Sequence, residues 1–140
     1  MSFVYKPPTE WIAPDVFPTE LLCQAKEIAI DLETRDPNLK ELGPGYIRGD
    51  GEAVGISFAI DGYENYFPFA HESGFNFSKK KVLEFTRKIC ATESDKVFHN
   101  STYDVGWLTH HGVPINGRII DTMIVAPLID ENQFWFSLNA

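Results

Sequence analysis

The first regular pattern along the chain is an alternation of apolar and polar residues at 27–33. Successive side chains of a β-strand point to opposite faces, so Ile28 and Ile30 share one face of a strand here. Asp31 and Glu33 share the other face. We therefore predict a strand that has one apolar face and that ends in two carboxylates on the opposite side.

Two runs rich in β-branched and aromatic residues, at 53–60 and 63–69, flank an Asp-Gly dipeptide. Asp-Gly between two such runs is a strong signal for a two-residue turn, so we predict a hairpin here. Farther along, Ser78 is a good N-cap, and apolar residues follow it at helical spacing as far as Cys90. This pattern predicts a helix between these two residues.

The rest of the chain alternates between short strands and helices. These elements are a strand, a helix, a strand and a helix, predicted at 96–99, 100–112, 119–120 and from about 121 onward. The side chain of Asn100 or Ser101 would cap the first of these helices. A leading strand, a hairpin and then alternating helices and strands imply an α/β fold in which helices pack on a mixed sheet.

Two stretches lack such periodicity. Residues 1–26 carry four prolines among aromatic and apolar residues, which disfavours a regular helix before about Thr19 and predicts an extended arm on the surface. Residues 35–52 combine two prolines, four glycines and seven charged residues, so we predict a long loop with one helical turn. The chain therefore divides into an arm at 1–26 and a single domain at 27–140.

Composition narrows the class of protein. With 140 residues, of which 44% are hydrophobic and 23% charged, the chain is long enough to bury one substantial core. Its two cysteines and four histidines show no zinc-ligand spacing, which indicates buried thiols in a reducing cytosol and structural histidines. The sequence has no apolar run of about 18 residues and no signal-peptide pattern, so we expect a soluble cytoplasmic protein without membrane contact.

The formal net charge of −8 limits how the chain can bind nucleic acid. Without a surplus of cations to displace counterions, non-specific binding to nucleic acid or to anionic lipid is disfavoured. Contact with nucleic acid would therefore depend on a local site, where bound metal ions reverse the sign of the charge.

Two sets of polar residues fall at the ends of predicted strands, where open α/β sheets place their ligand sites. Asp31 and Glu33 repel each other unless a cation lies between them, and Mg²⁺ or Mn²⁺ prefers such oxygen ligands. Asn100 and Asp104, four residues apart, would share one face of the following helix. Taken singly, these residues are also typical of a solvated strand end and of a helix N-terminus.

Three motifs stand out: Ile-Ala-Ile-Asp31-Leu-Glu33-Thr34, His99-Asn100-Ser-Thr-Tyr103-Asp104 and Asp121-Thr-Met123. Together they resemble the 3′–5′ exonuclease domain of family-A DNA polymerases, particularly those of bacteriophages. The stretches Gly55-Ile-Ser-Phe-Ala and Pro68-Phe-Ala-His71 stand at matching places. The resemblance implies a ribonuclease H-like mixed five-stranded sheet with flanking helices, two Mg²⁺ or Mn²⁺ ions, and a single-stranded DNA 3′ end as substrate.

The resemblance also implies a role for each matching residue. Catalysis and metal binding would fall to Asp31, Glu33 and Asp104. Contact with the terminal nucleotide would fall to Thr34, Asn100 and Tyr103. Glu33 would also lie close to the attacking water, and in this scheme two ions clamp the scissile phosphate. Asp121 is interpreted as a structural helix cap and not as a ligand.

One motif of the family is missing. The third motif places Tyr or His four residues before a fourth metal-binding Asp, and none of the acidic residues after Asp104 is preceded in this way. The chain is therefore expected to be the N-terminal part of a longer domain that is joined to a downstream polymerase domain. The aromatic residues at 134–136 would pack against the missing helices or stack on bases. The absent third motif predicts that the chain alone is inactive. The apolar surface of the sheet and of these aromatic residues, without the missing helices to cover it, predicts self-association.

Three hypotheses about function remain open from the sequence. The first is a proofreading exonuclease that removes 5′-mononucleotides from DNA 3′ ends in a bacterial or phage-infected cell. The second is an RNA 3′ exonuclease similar to ribonuclease D, which shares the first two motifs. The third is a truncated, inactive module that binds nucleic acid or a partner.

Overall fold

Five strands form one mixed sheet in the computed structural model, which describes residues 13–124 of the chain. The strands are β1 (Glu27–Arg35), β2 (Glu52–Ile60), β3 (Tyr63–Pro68), β4 (Asp95–Phe98) and β5 (Ile119–Asp121). Their order across the sheet is β3-β2-β1-β4-β5. β2 runs antiparallel to β1 and β3, whereas β1, β4 and β5 are parallel to one another. The prediction of a mixed five-stranded sheet is confirmed.

Helices occupy the connections between the strands and precede the first strand. They are α1 (Thr19–Cys23), α2 (Leu39–Leu42), α3 (Gly45–Arg48), α4 (Lys79–Cys90) and α5 (Ser101–His110). Val82 and Phe85 of α4 are buried in the same core cluster as Ile28 and Ile30 of β1. Ser78 caps α4 as predicted, because its hydroxyl accepts a hydrogen bond from a backbone N–H of the first turn.

The first strand and the hairpin are confirmed, and the first strand is longer than predicted. β1 continues two residues past Glu33 and remains paired with β2 through a register shift between Glu33 and Thr34. The hairpin turns at Gly62, whose φ of +83° lies in a region that glycine adopts without strain.

The connection between β1 and β2 contains two short helices, whereas the sequence predicted a single helical turn. Its structure depends on contacts with distant parts of the chain. The Asp36 carboxylate accepts a hydrogen bond from the hydroxyl of Tyr103 in α5 at 2.8 Å. The ring of Tyr46 in α3 packs edge-on against Trp107 of α5, with centroids 5.6 Å apart. Periodicity within the connection cannot reveal such tertiary contacts.

The N-terminal arm is described from residue 13. Residues 13–18 form no helix or strand, and α1 begins at Thr19, as the prolines predict. Phe17 packs against Phe67 and Phe85, with ring centroids 5.7 and 5.0 Å apart. The arm therefore contributes an aromatic ring to the packing around the core, and the division between arm and domain stays a prediction.

Several predicted features lie outside the described residues. They are the helix beyond residue 124, the aromatic residues at 134–136 and the acidic residues at 130 and 131. Within residues 13–124, no helix is long and apolar enough to cross a membrane.

The shared direction of β1, β4 and β5 determines where polar residues meet. The carboxyl ends of parallel strands lie at one edge of a sheet, and open α/β sheets bind ligands at that edge. β1 ends just after Asp31 and Glu33, β4 leads into the helix that carries Asp104, and β5 ends at Asp121. The fold thus brings the predicted acidic residues to the same edge.

Candidate active site

Asp31 and Glu33 lie on the face of β1 opposite its buried isoleucines, as the alternation predicted. In the ladder with β2, Asp31 pairs with Ser57 and Glu33 pairs with Gly55. The register then shifts between Glu33 and Thr34, and such irregularities bend a strand and redirect the neighbouring side chains. Across this shift β1 advances by one residue and β2 by two, from Gly55 to Ala53, so the extra residue is Val54 of β2, opposite the first motif.

Asp31 has a raised pKa. Burial raises it, the negative charge of Glu33 raises it further, and the nearby His99 lowers it. A raised pKa means that the surroundings disfavour the ionised carboxylate. A cation beside the pair would reverse that preference.

Asp104 is the most unusual carboxylate of the described chain. It lies in α5, is 4% exposed, and has a pKa raised to about 7. Burial is the main cause, the negative charges of Asp31 and Asp121 add to it, and a hydrogen bond from the backbone N–H of Leu32 opposes it. Its second oxygen, Oδ2, is buried without any hydrogen-bond partner. Buried polar atoms are nearly always satisfied in native proteins, so this oxygen indicates a missing partner.

Asp121 has the opposite environment. Its carboxylate accepts hydrogen bonds from the backbone N–H groups of Asn100 and Ser101 at 3.0 and 2.8 Å. It also accepts from the Ser101 hydroxyl and from the Met123 N–H, both at 2.9 Å. Burial alone would raise the pKa of Asp121, but these hydrogen bonds together lower it. Asp121 therefore caps the N-terminus of α5 from the neighbouring strand, whereas the sequence predicted a cap for the helix that begins at Asp121 itself. The hydrogen bond from the Met123 N–H is the one contact of the predicted kind among these four.

Two predictions about the start of α5 are wrong. The expected cap is the side chain of Asn100 or Ser101, but Asn100 makes no side-chain cap hydrogen bond and Ser101 is already helical. The cap comes from Asp121, which lies beyond the reach of local pattern analysis. Asn100 also has a left-handed φ of +62° and lies outside the helix, so it does not share a helical face with Asp104.

Thr34 and Tyr103, both predicted to contact a nucleotide, are brought together. The Tyr103 hydroxyl donates to the Asp36 carboxylate at 2.8 Å and lies 3.0 Å from the Thr34 hydroxyl. Because the single proton of Tyr103 is directed to Asp36, Thr34 is the donor in the second bond. The same oxygen of Asp36 accepts the N–H of Gly45. Asp36 is not predicted, because nothing in its local sequence distinguishes it from an ordinary loop aspartate.

Tyr66 and His71 adjoin Glu33 from the other side and are not among the predicted site residues. The Tyr66 oxygen lies 2.5 Å from Nε2 of His71 and 3.4 Å from Oε2 of Glu33. The His71 ring nitrogen is 4.0 Å from the same Glu33 oxygen. Burial and the negative charge of Glu33 raise the pKa of Tyr66, so the phenol stays protonated. A glycine in the middle of β2, Gly55, is the available sequence signal for a close approach at this point.

The predicted ligands do not form one tight cluster. Within residues 13–124, no group of three or more histidine, cysteine or acidic side chains is arranged to hold a metal ion alone. Asp31 instead interacts with Glu33 on one side and with Asp104 on the other. Magnesium sites in phosphate chemistry commonly use one or two carboxylates together with phosphate oxygens and water. Two carboxylate pairs that share Asp31 are compatible with sites of this kind.

Cavities near the carboxylates are small. An apolar cavity of about 230 Å³ borders Asp31 and His99. A larger one of about 560 Å³ lies at the opposite end of β1, beside Glu27 and Asp61, where no predicted site residue is found. The chemistry of the carboxylates, and not cavity size, therefore locates the candidate site.

Comparison with known sequences relates the chain to a viral polymerase. No protein-family model matches the chain. Over 137 residues, or 94% of its length, the chain is 38% identical to a DNA-directed DNA polymerase of Pseudomonas phage M6. It spans only 21% of that polymerase.

Comparison with solved structures identifies the fold. A structure of Brucella melitensis NrnC with bound Mg²⁺ matches with a TM-score of 0.57 and 20% identity, over 86% of this chain and 53% of that one. The same protein bound to pGG gives a TM-score of 0.55 at 20% identity, over 86% and 52% of the two chains. Pol1 of M. smegmatis, in complex with DNA primer-template and dNTP, gives 0.57 at 16% identity, over 85% and 18%. The chain is thus related to a phage DNA polymerase along nearly all of its length, and it has the ribonuclease H-like fold expected from its sequence.

Proposed function

We propose that this chain is part of the metal-dependent 3′–5′ exonuclease of a DNA polymerase, which removes 5′-mononucleotides from DNA 3′ ends in proofreading. The observation that carries the proposal is the buried carboxylate of Asp104, which has an unpartnered oxygen and interacts with the negative charge of Asp31. A divalent cation beside these groups would satisfy both. The 38% identity to a phage DNA polymerase supports the choice of DNA as the substrate.

The donor set fits Mg²⁺ or Mn²⁺. Asp31 and Glu33 would hold one ion and Asp104 would hold a second, and both ions prefer oxygen ligands. When bound, such ions activate water and stabilise the charge that develops on the scissile phosphate. The chain itself holds the carboxylates at one edge of a rigid sheet and keeps Asp104 away from bulk water. Glu33, whose side chain is exposed to solvent, would lie close to the attacking water.

Thr34, Asn100 and Tyr103 would contact the terminal nucleotide. The hydrogen bonds of Tyr103 with Asp36 and Thr34 fix its hydroxyl in place, which lowers the entropic cost of binding a substrate beside it. The N-terminus of α5 is not available for a phosphate, because Asp121 already accepts its first N–H groups. Phosphate binding would therefore depend on the cations.

The proposed binding partners of the chain are a DNA 3′ end and a polymerase domain. A chain with a net charge of −8 needs a local positive site to hold a DNA end, and the proposed ions supply it. A polymerase domain elsewhere in the same polypeptide would deliver the DNA end, in the cytoplasm of a bacterial or phage-infected cell. An RNA 3′ end as substrate is the competing outcome.

Calorimetric titration of the 140-residue chain with Mn²⁺ tests the proposal. Wild type should bind weakly but measurably, and Asp31→Ala should lose the binding. Asp61→Ala is the matched control, because it removes the same charge from the exposed hairpin turn. Equal binding by wild type and Asp31→Ala would overturn the metal site. In a longer protein that contains this chain, faster digestion of an RNA than of a DNA 3′ end would overturn the choice of substrate.

A further inference from the structure

The hydroxyl of Tyr66 reaches Glu33 through a gap in the side chains of β2. Gly55 stands opposite Glu33 in the β1–β2 ladder, and a methyl group at Gly55 would overlap the Tyr66 hydroxyl. Tyr66 itself lies on β3, where it pairs with Ser57 and not with Gly55. Its ring therefore leans along the sheet toward the end of β1, and this arrangement requires glycine at position 55.

The loop after β3 holds His71 beside Tyr66. Asn76 makes two hydrogen bonds with the backbone of His71, one to its N–H and one to its carbonyl oxygen, both at 2.9 Å. Arg35, at the end of β1, donates to the carbonyl oxygen of Ala70 at 3.1 Å and forms an ion pair with Glu72 at 3.0 Å. The residues on both sides of His71 are thus tied to the same strand that carries Glu33.

The number of protons that each group can donate constrains the direction of the hydrogen bonds among His71, Tyr66 and Glu33. Tyr66 has one hydroxyl proton, and the Glu33 carboxylate can only accept. The Tyr66 hydroxyl donates to Glu33, so the contact with His71 requires the tautomer that carries a proton on Nε2, which then donates to the Tyr66 oxygen. The resulting chain, from His71 through Tyr66 to Glu33, ends on a side chain that is 60% exposed. An exposed glutamate otherwise samples several rotamers.

We propose that Tyr66 and His71 are positioning residues, which fix the Glu33 carboxylate in the orientation that a metal ion requires. This inference rests on the proposed function, because it takes Glu33 as a metal ligand. Hydrogen bonds to a ligand from residues behind it orient the ligand, and their loss commonly lowers metal affinity by about 10- to 100-fold. Because Glu33 is exposed and its hydrogen bond with Tyr66 is 3.4 Å long, we expect about 10-fold, the lower end of that range.

Mn²⁺ titration of the 140-residue chain tests the proposal. Tyr66→Phe and His71→Ala should each raise the Kd for Mn²⁺ about 10-fold, and the double variant should be no weaker than either single variant, because both act through one chain of hydrogen bonds. In a Glu33→Gln background, Tyr66→Phe should have no further effect. Tyr63→Phe is the matched control, since it removes the same hydroxyl at the opposite end of β3.

A second measurement does not depend on metal. The side-chain carboxyl ¹³C resonance of Glu33, recorded without metal, should shift in Tyr66→Phe and stay in place in Tyr63→Phe. If Asp31→Ala weakens Mn²⁺ binding but Tyr66→Phe does not, the positioning role is overturned while the proposed function stands. If Asp31→Ala binds like wild type, the proposed function fails, and an unchanged Glu33 resonance in Tyr66→Phe overturns the contact as well.

Discussion

Replacing Asp104 by asparagine should stabilise the metal-free chain, although it removes a residue that the proposed reaction needs. Asp104 is 4% exposed, and its pKa is raised from 3.8 to about 7. Asparagine has nearly the same shape, and its amide oxygen can accept the hydrogen bond that the backbone N–H of Leu32 gives to Asp104. The substitution therefore removes a buried negative charge and keeps both the shape of the side chain and the hydrogen bond from Leu32.

The size of the expected stabilisation follows from the linkage between proton binding and folding. Between pH 3.8 and about 7, the folded wild type keeps a proton on Asp104 that the unfolded chain has lost. The free energy of unfolding of wild type therefore falls as the pH rises through this range and levels off above it. At about 1.36 kcal/mol per pKa unit, the loss reaches roughly 4 kcal/mol at pH 8. The asparagine side chain of the Asp104→Asn variant does not titrate, so the variant avoids this loss.

Thermal unfolding followed by circular dichroism, in buffer with a chelator, measures the effect. Wild type and Asp104→Asn should have similar Tm values near pH 4. At pH 8 the variant should unfold roughly 14 °C higher, which is the shift expected from about 4 kcal/mol in a chain of this size. Added Mn²⁺ should narrow the difference, because a ligand stabilises the form that binds it more tightly.

Asp121→Asn is the control, because it makes the same substitution at a carboxylate whose pKa is lowered. The Asp121 carboxylate accepts the first N–H groups of α5, so the variant should be less stable than wild type at pH 8, by about 0.5–2 kcal/mol for a weakened cap. The reasoning about Asp104 would be refuted if Asp104→Asn were less stable than wild type at pH 8 without metal. A difference in Tm that did not change between pH 4 and pH 8 would refute it too.

Two further predictions concern activity and assembly. The first prediction applies to any longer protein that contains this chain and digests DNA 3′ ends. In such a protein Asp104→Ala should lower the single-turnover rate at least about 100-fold, roughly the effect of losing a preorganised charge-stabilising group. Near-normal turnover would contradict the role of Asp104. The 140-residue chain alone should show negligible digestion of labelled single-stranded DNA in Mg²⁺ or Mn²⁺, because the third motif is not found in its sequence. It should also self-associate in light scattering, because the helices expected to carry that motif would otherwise cover apolar surface. A stable monomer that digests DNA and is inactivated by Asp31→Ala would show that another acidic residue replaces the missing ligand.

The sequence predicts best those parts of the fold that depend on local pattern. β1 follows from a period of two, the hairpin follows from an Asp-Gly turn between β-rich runs, and α4 follows from its cap and its apolar stripe. The carboxylates of β1 share a face for the same local reason. Since a strand fixes the direction of each side chain, Asp31 and Glu33 can be assigned to one face without any knowledge of tertiary structure.

Features that depend on distant contacts escape such prediction. The connection after β1 is held by contacts of Asp36 and Tyr46 with α5, which lies far along the sequence. The cap of α5 comes from a strand that follows the helix in the sequence, and Tyr66 reaches Glu33 across a strand that lies between them. Each of these interactions joins residues that no local window contains. The spacing wrongly places Asn100 on the helix for a related reason, because its left-handed backbone cannot be read from residue spacing.

The parallel pairing of β4 with β1 has a consequence for the order in which the chain folds. β1, β2 and β3 are consecutive in sequence and pair as neighbours, whereas β4, at residues 95–98, must close a long loop to reach residues 27–29 of β1. Closing long loops slows the contacts that depend on them. During synthesis, the antiparallel strands can therefore form before the segment that carries Asp104 has emerged from the ribosome. Such a nascent chain holds two of the three acidic residues and cannot complete the candidate site, so we expect the proposed metal site to be among the last features that this part of the chain acquires.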